Sequence, residues 1–144
     1  MKNLYITLFL LFSLLFNASQ AREVNELLES HGRMYEPGHN EPYTGKYVIY
    51  YENGQKRYEG NFVSGKMEGK QIKWHENGQT SYEANFKYGK QEGAYIFWYE
   101  NGQKSYEANY VKGKEHGIVT SWDREGNITK TEILEYGKVI KEIK

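Results

Sequence analysis

From residue 43 to about 140 the chain is a series of short runs in which apolar and polar residues alternate, broken at regular intervals by glycine. "YEGNF" at 58–62, "YEANF" at 82–86 and "YEANY" at 106–110 each place apolar or small residues at every second position, with polar residues between. That period of two belongs to a strand with one face turned from water. Aligned on the Asn-Gly pair, Gly54, Gly78 and Gly102 stand 24 residues apart, and Gly126 continues the series. A second column holds Gly65, Gly89, Gly113 and Gly137, and a third holds Gly69, Gly93 and Gly117. Windows 75–98 and 99–122 share 13 of 24 residues without a gap, so the chain is a tandem array with a 24-residue period.

Each period contains two strand-prone runs and two turns. The "ENGQ" string predicts a type I′ hairpin turn, in which both central residues take positive φ. The second connection, "SGKMEG" or "YGKQEG", suits a slightly longer turn. Tyr, Trp and β-branched residues together with the glycine spacing disfavour helix. The prediction is an all-β fold: an elongated single-layer antiparallel meander of tandem 24-residue β-hairpins.

The columns predict the faces. Tyr58, Tyr82 and Tyr106 lie two residues before Gly60, Ala84 and Ala108, and these lie two before Phe62, Phe86 and Tyr110, so the three columns share a face. Val48, Ile72 and Ile96, followed by Trp74, Trp98 and Trp122, are expected on that same face, with the small residue making room for the Trp ring. Glu59, Glu83, Glu107 and Asn61, Asn85, Asn109 form the wet face.

Both ends depart from the period. From residue 123 the last unit is eroded, with Lys130 where Tyr stood and Glu132 where Ala stood, which reads as a cap on an exposed end. Residues 43–50 are a partial first unit, and full units start near 51, 75 and 99. Residues 22–42 form a lead-in in which Val24, Leu27 and Leu28 suggest a short helix. Pro37, Gly38 and Pro42 then enforce an extended path, and the segment is expected to cover the first hairpin. Residues 1–21 combine Lys2, an apolar run from Leu4 to Phe16 and the small-residue end Ser19-Gln20-Ala21. This predicts a signal peptide cleaved near Ala21 and a periplasmic or secreted product; membrane contact would come only through an uncleaved segment.

Charge and composition narrow the function. Nineteen basic residues balance nineteen acidic ones, which argues against the basic stripe that a nucleic-acid partner requires. With no cysteine there are no disulfides, thiolate sites or cysteine nucleophiles. Repeated identical columns do not supply the nucleophile, base and orienting group of a hydrolase, so no catalytic residues are expected. His31, His39, His75 and His116 fall at unrelated positions; His75 replaces a Tyr and His116 a Glu, and neither a metal site nor a cofactor is expected. Equivalent glutamates two strands apart are roughly 10 Å from each other, too far to share a proton or an ion, and are expected to pair with cross-strand lysines. "TGK" and "GKMEGK" lack phosphate-loop spacing and read as turns.

The unit "YEGNFVSGKMEGKQIKWHENG" at 58–78 resembles the MORN repeat, in the variant form common in bacterial proteins. The residues that carry the resemblance are Tyr58, Gly60, Phe62, Gly65, Lys66, Gly69 and Trp74, recurring as Tyr82, Phe86, Gly89, Lys90, Gly93 and Trp98. Ala84 and Ala108 stand where the motif has glycine. The resemblance implies an elongated, twisted sheet of hairpins and, in bacterial members, exported repeat proteins or antitoxin-like (YwqK-type) components. The expectation for function is a non-catalytic exported scaffold that binds an envelope or exported protein, such as a toxin it neutralises. The alternative is carbohydrate or peptidoglycan binding by the aromatic ladder. In either case the candidate surface is Tyr58, Tyr82, Tyr106, Trp74, Trp98, Trp122, Phe62, Phe86 and Tyr110, held by the turn glycines Gly54, Gly78, Gly102, Gly65, Gly89 and Gly113.

Overall fold

The computed structural model describes residues 23–143; the expected signal peptide lies outside the described residues. Thirteen strands account for the secondary structure, and no helix is present among the described residues. They are β1 (Glu23–Val24), β2 (Leu28–Ser30), β3 (Arg33–Tyr35), β4 (Gly45–Tyr50), β5 (Lys56–Val63), β6 (Lys66–Trp74), β7 (Thr80–Lys87), β8 (Lys90–Trp98), β9 (Lys104–Val111), β10 (Lys114–Glu115), β11 (Gly117–Trp122), β12 (Ile128–Glu135) and β13 (Lys138–Glu142). Eleven of them form one sheet in chain order from β4 to β13, with β10 paired to β9 beside the main path. Strand β1 lies parallel to β4 and closes the N-terminal edge, the one departure from an antiparallel meander. The all-β hairpin array is as the period predicts.

The two turn types are exchanged relative to expectation. Ser64–Gly65, Tyr88–Gly89, Lys112–Gly113 and Tyr136–Gly137 all have positive φ at both residues, the type I′ signature. At the Asn-Gly loops only the glycine does, at 82° for Gly54 and 84° for Gly78. There Gly54 N–H donates to Tyr51 O (3.0 Å) and Tyr51 N–H to Gln55 O (2.8 Å), a type I turn closed by a left-handed glycine. Asn53 Oδ1 accepts from Gln55 N–H (2.9 Å), which holds the asparagine in the ordinary right-handed region. The glycine at the end of "SGKMEG" is not part of the turn. Gly69 sits at a register break: Gly60 faces Gln71 while Asn61 faces Glu68.

Neighbouring units are clamped along both rims at the repeat spacing. On one rim Gly65, Gly89, Gly113 and Gly137 donate their N–H to the carbonyls of Tyr43, Met67, Gln91 and Glu115, at 2.7–2.9 Å. On the other, Asn53, Asn77 and Asn101 donate through Nδ2 to the carbonyls of Glu76, Glu100 and Arg124. Tyr51 and Tyr99 hydroxyls donate to Trp74 O and Trp122 O, and His75 donates through Nε2 to Trp98 O at 2.9 Å. His75 therefore does the work of the tyrosine it replaces.

The lead-in covers the first unit, but not as a helix. Val24 is in β1, and Leu28 begins a two-stranded hairpin, β2–β3, turned at His31–Gly32 with φ of 50° and 71°. Val24, Leu27 and Met34 pack on a buried cluster of Tyr43, Tyr58 and Phe62. Met34 N–H donates to Gly65 O (2.9 Å), tying the hairpin to the first type I′ turn. The chain here gains more from laying separate aliphatic residues on the sheet than a one-turn helix could from its own bonds.

Candidate binding face

Register decides which side chains share a face, because directly opposed residues point the same way. Tyr58 opposes Ile49 and Lys73, Gly60 opposes Tyr47 and Gln71, and Phe62 opposes Met67. In the third unit Tyr106 opposes Phe97, Ala108 opposes Tyr95, and Tyr110 opposes Gly93 and Glu115. The aromatic face therefore carries Tyr58, Tyr82, Tyr106, Phe62, Phe86 and Tyr110, as expected, together with Tyr47, Tyr95 and Phe97.

The Trp columns and the Val48, Ile72, Ile96 row are on the other side. Val48 and Ile72 oppose Glu59, and Ile96 opposes Glu83 and Glu107. Trp74 and Trp98 follow two residues after Ile72 and Ile96 and share their face, and Trp122 stands likewise to Thr120, which opposes Glu107. Lys56 Nζ lies 5.9 Å from the Trp74 ring centre and is ion-paired to Glu59, which places that ring among the charges. The expected placement of Trp74, Trp98 and Trp122 beside the tyrosines is thus overturned. The room at Gly60 is filled by Gln71 instead of a Trp ring: an added Cβ would meet Gln71 Oε1 at 1.7 Å.

The glutamate face is an ion-pair surface. Lys46–Glu59 (3.1 Å) and Lys70–Glu83 (2.6 Å) are cross-strand pairs, and Lys104–Glu107 (2.8 Å) is formed within one strand. These exposed pairs contribute only a few tenths of a kcal/mol each. The lysines hold Glu59 below the usual carboxylate range.

On the aromatic face burial changes along the array. Tyr58 (8% exposed) and Phe62 (3%) are closed in by the lead-in, and Tyr82 is also buried. Beyond it Tyr95, Tyr106 and Tyr110 are half-buried, and Phe97 is 36% exposed. These rings form one cluster: Tyr82–Phe97 at 5.0 Å, Tyr95–Phe97 at 5.2 Å, Tyr95–Tyr110 at 4.8 Å and Phe97–Tyr106 at 6.3 Å. Their planes meet at 49–89°, the tilted and edge-to-face arrangements that ring quadrupoles favour. Glu115 Oε1 accepts from the hydroxyls of both Tyr106 and Tyr110, the latter at 3.0 Å. Burial, reinforced by the Glu115 hydrogen bond and charge, raises both hydroxyl pKa values above the ordinary 10.0. Burial does the same for Tyr58 and Tyr82.

Tyr47, Tyr95, Phe97 and Glu115 were not legible as site residues, because their columns are interrupted. The column 47, 71, 95, 119 reads Tyr, Gln, Tyr, Val, and 49, 73, 97, 121 reads Ile, Lys, Phe, Ser. Counting strand pairs outward from a turn would have found them.

No curated protein shows significant similarity to the chain. The eroded last hairpin lies outside every family match, and each match begins at the column of Tyr43, Met67 and Gln91. Residues 43–64, 67–88 and 91–112 match the family model of the MORN repeat variant, so the rings of the aromatic face just described lie within three tandem stretches similar to that repeat.

Proposed function

We propose that the protein is a non-catalytic exported scaffold that docks another protein on its aromatic face. MORN repeats are in general non-enzymatic scaffolds that bind proteins or membranes. The observation that carries the reading here is the ring cluster Tyr95, Phe97, Tyr106 and Tyr110, left open two units from the same columns that the chain covers itself. Half-buried Tyr and Phe on a rigid sheet are strong anchors for a protein partner, because little side-chain entropy is lost on contact. The apolar N-terminal run supports export, so the partner is an envelope or exported protein. A toxin met outside the cytoplasm would make the role immunity-like. Carbohydrate stacking is the poorer reading, since it needs open ring faces and these rings direct their faces and edges at one another.

Affinity capture from envelope extracts with the mature chain as bait, read by mass spectrometry, tests the proposal. One stoichiometric protein supports it. Capture of no protein, with retention on cell-wall polysaccharide, contradicts it.

A further inference from the structure

We infer that the open aromatic cluster of the third unit receives a non-helical aliphatic segment of a partner polypeptide, seated as the chain's own residues 24–43 are seated on the first unit; this rests on the protein-binding reading above. The two surfaces are related by a shift of 48 residues, two repeat periods. Tyr47, Ile49, Tyr58 and Phe62 in the first become Tyr95, Phe97, Tyr106 and Tyr110 in the second. The intervening unit is more polar, with Gln71 and Lys73 in the corresponding columns.

The first surface shows what such a column set accepts. Its occupant is a non-helical segment that lays Val24, Leu27 and Met34 on the rings and anchors one backbone bond, Met34 N–H to Gly65 O, at the neighbouring type I′ turn. Arg33 adds a bond from its guanidinium to Ser64 O (2.9 Å). The seat requires glycine: a Cβ on Gly65 would come within 2.9 Å of the Met34 backbone. Gly113 has the same turn conformation, and there only the Lys90 side chain, from its Cβ at 3.7 Å to its Cδ at 4.0 Å, stands where the Met34 backbone stands at Gly65, so the equivalent approach needs that flexible lysine to swing aside. A groove of about 360 Å³ runs from the end of the lead-in hairpin at Met34, past Phe62 and Met67, to Tyr88 and Gly89 of the next turn.

Because the occupant of the first seat is known, it serves as the probe for the second. A synthetic peptide of residues 24–43 is titrated into the intact protein, whose first seat is already filled in cis, and the aromatic resonances are followed by NMR. The expected result is saturable shifts of Tyr95, Phe97, Tyr106 and Tyr110. Affinity should fall by about tenfold or more in Phe97→Lys and in Tyr95→Gln. Lys73 and Gln71 already stand in those columns, and each variant is first checked for the parent's fold by circular dichroism. A peptide with Leu27→Asp and Met34→Asp should fail to bind. Absence of saturable binding at millimolar peptide overturns the inference, as do shifts confined to Tyr47, Tyr58 and Phe62 or to the glutamate face. The broader reading fails differently, when envelope extracts yield no captured protein; a captured partner whose footprint on the aromatic face leaves out Tyr95, Phe97, Tyr106 and Tyr110 would preserve it and refute this seat.

Discussion

Gly60→Ala places a methyl group where Gln71 now lies. The ideal Cβ falls 1.7 Å from Gln71 Oε1, 2.7 Å from its Cδ and 2.5 Å from the Tyr58 hydroxyl. Gln71 is 1% exposed; its Oε1 accepts from the Tyr58 hydroxyl, and its Nε2 donates to Asn61 O (3.1 Å) and Glu68 O (3.2 Å). A glutamine side chain can swing away, so the cost is the loss of those three bonds and not a backbone clash. At about 1 kcal/mol net per bond the loss is about 3 kcal/mol. Replacing a strand glycine returns about 0.5–1 kcal/mol of backbone entropy. The expected destabilisation is therefore about 2 kcal/mol, read by urea denaturation with an unchanged m-value. Adding Gln71→Val should recover most of it, because that pair reproduces Ala108 packed with Val119 in the third unit. A Gly60→Ala protein as stable as the parent, or more so, would refute the assignment of the Gly60 gap to Gln71.

His75→Tyr should leave stability unchanged, since Tyr51 and Tyr99 make the same bond to the next unit, whereas His75→Leu should lose about 1 kcal/mol in the same assay. Tyr82→Ala removes a buried ring and should cost about 3–5 kcal/mol; Trp98→Ala removes a half-buried ring on the ion-pair face and should cost clearly less. Equal losses would contradict the assignment of the two columns to opposite faces. The raised hydroxyl pKa values of Tyr58, Tyr82, Tyr106 and Tyr110 predict alkaline unfolding. The folded chain keeps these protons while the unfolded chain releases them near pH 10, so the stabilisation is complete below about 10 and is lost as pH rises above it. Phenolate absorbance should therefore appear together with loss of structure; tyrosines that all titrate near 10 in the folded protein would contradict it.

The period and the strand alternation made the architecture legible: Tyr58, Gly60 and Phe62 share a face because they are two apart, wherever the neighbours fall. What columns cannot supply is the phase between adjacent strands. A one-residue difference in phase moves a whole strand's side chains to the other face, and apolar character alone assigned Ile72 and Trp74 to the tyrosines. The pairing of Ile72 with Glu59 shows otherwise. The turns were exchanged for a related reason. Asn53 Oδ1 bonds ahead to Gln55 N–H and stabilises the right-handed conformation, while Ser64 and Tyr88 accept positive φ because the two-residue hairpin turn demands it. The lead-in misled because Val24, Leu27 and Leu28 have helical spacing, yet Val24 and Leu27 pack on the cluster of Tyr43, Tyr58 and Phe62 in the array, where no local pattern reaches, and Leu28 pairs with Tyr35 in a hairpin.

The claim that matters most for function is that the aromatic face is closed over the first unit and open over the third. Hydroxyl-radical footprinting of the purified protein, with oxidation read separately at Phe62 and Phe97, measures this directly. The structure predicts that Phe97, 36% exposed, reacts many times faster than Phe62, 3% exposed. Equal protection of the two phenylalanines would mean that the third unit is already covered, and that no docking face is open there.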